Sequence, residues 1–244
     1  MTSSVASFFS DQANAYADVY EENTIYGYFL RRRRDLTFPI IDQEPTTSLL
    51  DVGCGAGTYA SRCLERGLSY VGVDLSPAMI DFCRARNRNR NVAFEVGDVL
   101  KLPFADEQFD AILCLGVLEY VPRADHEAAL TELIRVAKHG QRIIFSFANP
   151  RSPYRRWIAF RNHGAGSGEA GNCDFRPEEY ERLLSSAGLA IEKTVPCAIN
   201  LSIPPIARRW PGLVVKATRF LDQHASWLAG RYAMAHIVVA RTAA

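Results

Sequence analysis

Between residues 5 and 37 apolar and aromatic side chains recur at helical spacing, first Phe9, Ala13, Tyr16 and Tyr20, then Ile25, Tyr28, Phe29 and Leu36. Ser10 or Asp11 caps the first of these helices, and Pro39 and Pro45 close the helical region. From Leu49 the pattern changes to short, almost wholly apolar runs separated by amphipathic stretches. The runs around Leu49–Val52, Tyr70–Asp74, Val92–Val96, Phe109–Leu115 and Arg142–Phe147 read as strands buried on both faces. Helices are predicted at Thr58–Arg66, after the capping Ser76 with Pro77 in its first turn, and at His126–Lys138. Strand–helix alternation with short connections predicts a parallel sheet covered on both sides. After Pro150 the periodicity loosens. Residues 149–176 read as a long loop with a short helix near Tyr154–Phe160 and a glycine-rich patch at 164–171. A helix at Pro177–Ala187, closed by Gly188, then a strand at Ala190–Val195 follow. An amphipathic helix within 198–230, running to about Trp227, precedes a closing strand at Tyr232–Ala240.

The chemistry-bearing stretch is Ser48-Leu-Leu-Asp-Val-Gly-Cys-Gly-Ala-Gly-Thr58. A buried strand turning through alternate glycines into a helix lets a ligand approach the backbone, and the helix start offers free N–H groups. A dinucleotide fold requires G-x-G-x-x-G, whose third glycine would fall at position 58, where this chain has Thr58. A nicotinamide-dependent oxidoreductase is therefore disfavoured. Three further stations lie downstream. Asp74 ends the second strand, 23 residues after Asp51; Gly97-Asp98-Val99 follows the third; and Cys114-Leu-Gly-Val-Leu-Glu-Tyr-Val-Pro122 follows the fourth.

Together these residues resemble the class I S-adenosylmethionine-dependent methyltransferases, in the group similar to the ubiquinone and menaquinone biosynthesis enzymes. The resemblance covers residues 45–198 and extends to the final strand. It implies a Rossmann-like α/β fold: a seven-stranded sheet, mostly parallel with an antiparallel last strand, helices on both faces, an N-terminal helical cap and late insertions. It implies one methyltransferase domain over 1–244, with a cap at 1–44, a cofactor-binding core at 45–197, and an insertion with the closing strand at 198–244. The implied cofactor is S-adenosylmethionine, leaving as S-adenosylhomocysteine. In this group Asp51, Gly53, Cys54, Gly55 and Gly57 would form the glycine loop under it. Asp74 would accept from the ribose hydroxyls, Leu75 and Met79 would flank the adenine, and Gly97, Asp98 and Val99 would meet its edge. Leu115 and Gly116 would offer carbonyls to the methionine ammonium. Tyr16 and Arg32 are the cap residues assigned to the cofactor. Many relatives carry Glu-His where this chain has Glu119-Tyr120, so neither a histidine base nor a metal is expected there.

Methyl transfer from a sulfonium needs mainly positioning and exclusion of water. The candidate catalytic side chains are Tyr16, Tyr20, Tyr120 and His163, with Glu119 either orienting the loop or touching substrate. His126 and His139 read as helix-surface residues and His236 as structural. In the run Arg31-Arg32-Arg33-Arg34, Arg32 falls in the middle of the apolar stripe and Arg33 near its edge, so the run reads either as a solvated basic face with Arg32 snorkelling or as bringing Arg32 or Arg33 to a carboxylate of cofactor or substrate. The aromatic content of residues 8–30, 149–176 and 198–230 predicts a lid over a flat or apolar small acceptor.

Composition narrows the partners. A net charge of +1 gives no field for nucleic acid. Six cysteines without metal-ligand spacing predict a reducing compartment, without disulfides or zinc. There is no apolar run long enough to span a bilayer and no signal-like N-terminus, so a cytoplasmic location is expected. The alternative to an enzyme acting on O, N or C of a small molecule is a non-catalytic S-adenosylmethionine-binding partner subunit. The oligomeric state stays open.

Overall fold

A computed structural model describes residues 18–88, 90–162 and 174–242. Helix α1 (Ile25–Ile41) precedes the sheet; Thr24 caps it, its hydroxyl accepting from the Gly27 N–H. The chain then alternates through β1 (Ser48–Val52), α2 (Ala60–Glu65), β2 (Ser69–Asp74), α3 (Pro77–Arg86), β3 (Val92–Val96) and β4 (Phe109–Leu115). Two short 3-10 turns, Leu118–Tyr120 and Arg123–Asp125, lead into α4 (His126–Val136) and β5 (Ala137–Ala148). The remainder is α5 (Pro153–Asn162), α6 (Pro177–Ser186), β6 (Ala190–Ile199), α7 (Pro204–Arg209), α8 (Pro211–His224), α9 (Ser226–Tyr232) and β7 (Ala233–Arg241).

The seven strands form one sheet in the order β3-β2-β1-β4-β5-β7-β6. Neighbours among β1 to β5 pair in parallel, whereas β7 runs antiparallel to both β5 and β6. Alternate strand residues point to opposite faces. Leu49, Tyr70, Leu113 and Ile144 pack with Phe38, Cys63 and Ile80 on one side. Leu50, Val73, Ile112 and Phe145 pack with Leu130, Leu133 and Leu184 on the other. Strand order reverses between β1 and β4, and the cleft above their carboxyl ends is where open α/β sheets hold ligands.

The structure departs from the sequence expectations at several points. Pro39 lies inside α1, which runs on to Ile41; a proline so near the end removes only one of the final intrahelical bonds. Lys138, His139 and Gly140 belong to β5 rather than to the preceding helix, with Gly140 at a φ of 69° where the strand is irregular. β6 continues past Pro196 to Ile199, which an edge strand tolerates because the missing N–H is not needed by a neighbour. The single amphipathic helix expected within 198–230 is three helices, broken where Trp210 and Ala225 leave helical geometry. Among the described residues no helix is long and apolar enough to cross a membrane.

Candidate functional site

The glycine loop is tied down from below. Asp51 is 2% exposed and accepts from the Tyr70 hydroxyl at 2.7 Å. The Gly53 and Cys54 N–H groups both donate to the Val73 carbonyl, at 2.7 and 3.1 Å, binding the loop to β2. Gly53 has φ +69°, and a Cβ there would stand 2.4 Å from Val117 Cγ2. Glycine is thus required twice, by the dihedral and by the neighbouring turn. Cys83 reaches the Gly55 carbonyl at 3.1 Å. The described cysteines 54, 63, 83, 114 and 197 are all buried and unbridged, which is how free thiols behave as small apolar fillers.

Asp74, at the end of β2, holds both sides of the cleft. One oxygen accepts from the Gly55 N–H and the other from the Ser76 N–H, each at 2.9 Å. Burial raises its pKa while these backbone donors lower it. Ser76 caps α3 through the Met79 N–H. Gly53, Gly55, Asp74, Leu75, Met79 and Gly97 line one side of a single cavity, which continues along Leu115, Gly116 and Val117. These fit a nucleoside-bearing ligand: a carboxylate with spare acceptor capacity, apolar side chains for a flat ring, and walls in which side chains are missing. Asp51, Cys54, Gly57, Asp98 and Val99 lie outside that wall. Asp98 uses one carboxylate oxygen to accept from the Leu100 N–H at 3.0 Å, stabilising the turn after Gly97.

The other end of the cavity is formed by Tyr26 and Phe29 of α1, Glu119 and Tyr120, Tyr154 and Arg155 of α5, and Ala148 with Met234. Here the expectation for the arginine run changes. Arg33, not Arg32, enters the cavity. It is 7% exposed and donates to the Leu115 carbonyl at 3.3 Å and to the Ser146 hydroxyl at 3.5 Å. Arg32 instead pairs with Asp222 of α8 at 3.6 Å. The buried face of α1 passes through Leu30, Arg33, Thr37 and Ile41. Counting Leu30 in the stripe would have placed Arg33 inward; Tyr28, Phe29 and Leu36 pulled it toward Arg32. Tyr26 and Tyr154 come from the segments whose aromatic content predicts a lid; Arg155 and Met234 carry no sequence signal, since their elements reach the cleft only through tertiary packing.

Burial raises the Glu119 carboxyl above its usual range, with the Arg155 and Arg33 guanidinium groups drawing it back. Tyr120 is pushed up to about 12, first by burial and then by Glu119 beside it, so its phenol stays a hydrogen-bond donor at neutral pH. Arg155 is itself paired with Asp174. His126 is not on the helix surface: it is 4% exposed, and its Nε2 lies 2.9 Å from the Val121 carbonyl and 3.2 Å from that of Leu118. It therefore pins the 3-10 turn carrying Glu119 and Tyr120. His139 is exposed, and His236 is buried with Nε2 against the Gly230 carbonyl. Tyr20 is buried under the Arg34 guanidinium, away from the cavity wall. Tyr16, His163 and the 164–171 patch lie outside the described residues. Among the described residues no group of three or more His, Cys, Asp or Glu is arranged to hold a metal.

The buried Asp51 yields a pH prediction. Burial pushes its carboxyl up to about 7, against the opposing pull of Tyr70 and Arg33. A folded pKa above the unfolded value of about 4 means the folded state holds the extra proton, so this contribution to stability is complete below about pH 4 and is lost as pH rises through about 7. Asp51→Asn keeps an acceptor for Tyr70 and has no proton to lose. The wild type should therefore lose stability between those pH values relative to the variant, by as much as a few kcal/mol. Parallel curves of thermal midpoint against pH would contradict it.

A family model described as a methyltransferase domain matches residues 50–145. A fatty-acid O-methyltransferase of Mycolicibacterium smegmatis is 38% identical over 111 residues, covering 45% of this chain and 40% of that protein, so this chain spans well under half of that relative. A demethylmenaquinone methyltransferase of Thermus thermophilus is 33% identical over 188 residues, covering 71% of this chain and 83% of that one. The solved magnesium protoporphyrin IX methyltransferase of Synechocystis, bound to S-adenosylhomocysteine, shares the fold across 98% of both chains, with a TM-score of 0.67 and 16% identity. Glycine loop, strand-end acid and sheet order thus coincide with the similarity along the chain, and the protein belongs to the class I S-adenosylmethionine-dependent methyltransferase family.

Proposed function

We propose that this chain, acting as a single methyltransferase domain, transfers the methyl group of S-adenosylmethionine to a small, apolar or aromatic acceptor. One observation carries the reading: the cavity walled by Gly53, Gly55, Asp74 and Gly97 continues without a break into the half walled by Tyr26, Phe29, Glu119, Tyr120, Tyr154 and Arg155. A partner subunit that only held the cofactor would not need that second half. When bound, S-adenosylmethionine supplies an electrophilic methyl group on its sulfonium. Asp74 holds the ribose, Leu75 and Met79 sandwich the adenine, and the Leu115 and Gly116 carbonyls face the ammonium. Arg33 takes the carboxylate. The aromatic side chains of α1 and α5 cover the acceptor and keep water out. Glu119, raised by burial and set beside two cations, receives the proton that an O–H or N–H acceptor gives up. The relatives' names, a fatty-acid and a quinone-type enzyme, support an acceptor with an apolar body. A cytoplasmic location fits the unbridged thiols.

Incubation with methyl-labelled S-adenosylmethionine and panels of fatty acids, quinols and metabolite extract should yield a product heavier by one methylene. Tight cofactor binding with no product from any panel would favour the partner-subunit reading. Arg33→Ala should weaken S-adenosylmethionine by about 1–3 kcal/mol and leave 5′-methylthioadenosine, which has no carboxylate, unaffected. Arg32→Ala should change neither affinity in calorimetry. Equal weakening of both ligands by Arg33→Ala would remove its carboxylate role.

A further inference from the structure

The described residues expose nine large apolar side chains, and six of them lie between positions 201 and 227. Leu201 precedes α7. Ile206 and Trp210 belong to α7 and its end, Leu213 and Phe220 to α8, and Trp227 to α9, with exposures from 44% to 80%. Such a concentration on one stretch is unlike the scattered exposed residues of an ordinary surface.

Helix α8 resolves the geometry. Val214, Val215 and Thr218 are its buried side. At 100° per residue the opposite side presents Leu213, Lys216, Ala217, Phe220 and His224, all exposed. Phe220 and His224 stack on one another at 4.4 Å, so the stripe is continuous over the helix. The helix therefore has a second apolar face, turned away from the core and flanked by lysine and arginine.

Within α7 to α9 the exposed charge has one sign. The cations of α7 to α9 are Arg208, Arg209, Lys216, Arg219 and Arg231. Their only carboxylate, Asp222, is withdrawn from the surface, accepting from the Tyr28 hydroxyl at 2.7 Å and the Ile199 N–H at 2.7 Å. Arg209 lies over the Trp210 ring at 5.6 Å, an amphipathic pair of the kind found at headgroup depth. The chain as a whole is nearly neutral, so this local excess is a property of the segment.

A second cavity opens beside these helices. Pro204, Ala207, Arg208 and Pro211 line it, and it shares Tyr26 and Tyr154 with the first cavity.

We propose that the outer face of α7–α9 docks on an anionic lipid bilayer, with Trp210, Leu213, Phe220 and Trp227 entering the headgroup region and the flanking cations meeting lipid phosphates. The helices lie on the membrane and do not cross it. The second cavity, lined by Pro204, Ala207 and Arg208 of α7, then lies beside the docked helices. Resting on the methyltransferase reading, this lets an amphiphilic acceptor pass from the lipid, by way of Tyr26 and Tyr154, to the methyl donor.

Flotation of the full chain with vesicles tests this. Recovery with phosphatidylglycerol-containing vesicles should exceed that with phosphatidylcholine alone and fall in high salt. Leu213→Ser/Phe220→Ser should return it to background, and Lys216→Glu should weaken partitioning at least about fivefold. Both variants change exposed side chains outside the cavity, so calorimetric affinity for S-adenosylmethionine should stay at the wild-type value; that titration, not flotation, judges the methyltransferase reading. Absence of flotation with anionic vesicles at low salt overturns docking, as does equal flotation of the serine variant. A wild-type dimer that the serine substitutions convert to monomer, without vesicle binding, would assign the face to a second copy of the chain and overturn the proposal equally.

Discussion

Asp74→Asn is expected to weaken S-adenosylmethionine about 30- to 150-fold, equivalent to about 2–3 kcal/mol, because it removes charge-assisted hydrogen bonds at two levels. The carboxylate already accepts from the Gly55 and Ser76 N–H groups, one on each oxygen. Its remaining lone pairs face the cavity, where the ribose hydroxyls need acceptors. An asparagine exchanges one oxygen for an NH2 group. Whichever way it is turned, that group meets a backbone N–H, donor against donor, at the glycine loop or at the start of α3. The loop loosens and the ribose loses an anionic partner in the same substitution. Isothermal titration with purified variant and wild type reads the effect. A dissociation constant within threefold of the wild type would take Asp74 out of the ribose role.

Gly53→Ala should cost about 2–5 kcal/mol of folding stability, from two separable causes. Left-handed geometry at φ +69° costs a residue with a Cβ about 1–2 kcal/mol. The new methyl would also stand 2.4 Å from Val117 Cγ2, an overlap that forces the turn after β4 to move and costs about 1–3 kcal/mol. The double variant Gly53→Ala/Val117→Ala separates them: it should recover the steric part and leave the dihedral part, so denaturant midpoints fall between wild type and single variant. Cofactor affinity should follow the steric part, since Gly53 and Val117 both wall the cavity. A fully stable single variant would contradict the backbone described at this turn.

Both predictions concern residues that could be found by reading the chain. The glycine loop, Asp74, Gly97 and the turn after β4 are legible because their chemistry is local. A strand end, a tight turn and the next helix start lie within a few residues of one another, so the cavity wall they form is set by neighbours in the chain. The strands at Val92–Val96 and Phe109–Leu115 have the bounds that their apolar runs predict. The acceptor half was not legible in this way. Arg33 lost to Arg32 in the stripe because one extra buried residue, Leu30, rotates the inward face of α1. His126, at a helix start, reads as a surface residue; the preceding turn folds back to offer it two carbonyls.

Sequence alone determined the sheet class, the glycine-loop side of the cavity and the family, because those depend on periodicity and on spacing within single β-α units. Tertiary structure decided which arginine enters the cavity, that Arg155 and Arg33 both act on the buried Glu119, and that α8 carries an apolar face outward. Each of these depends on how helices distant in sequence lie across the ends of the strands. The rotation of a helix about its axis is set by the whole surface it packs on, so no local pattern encodes it.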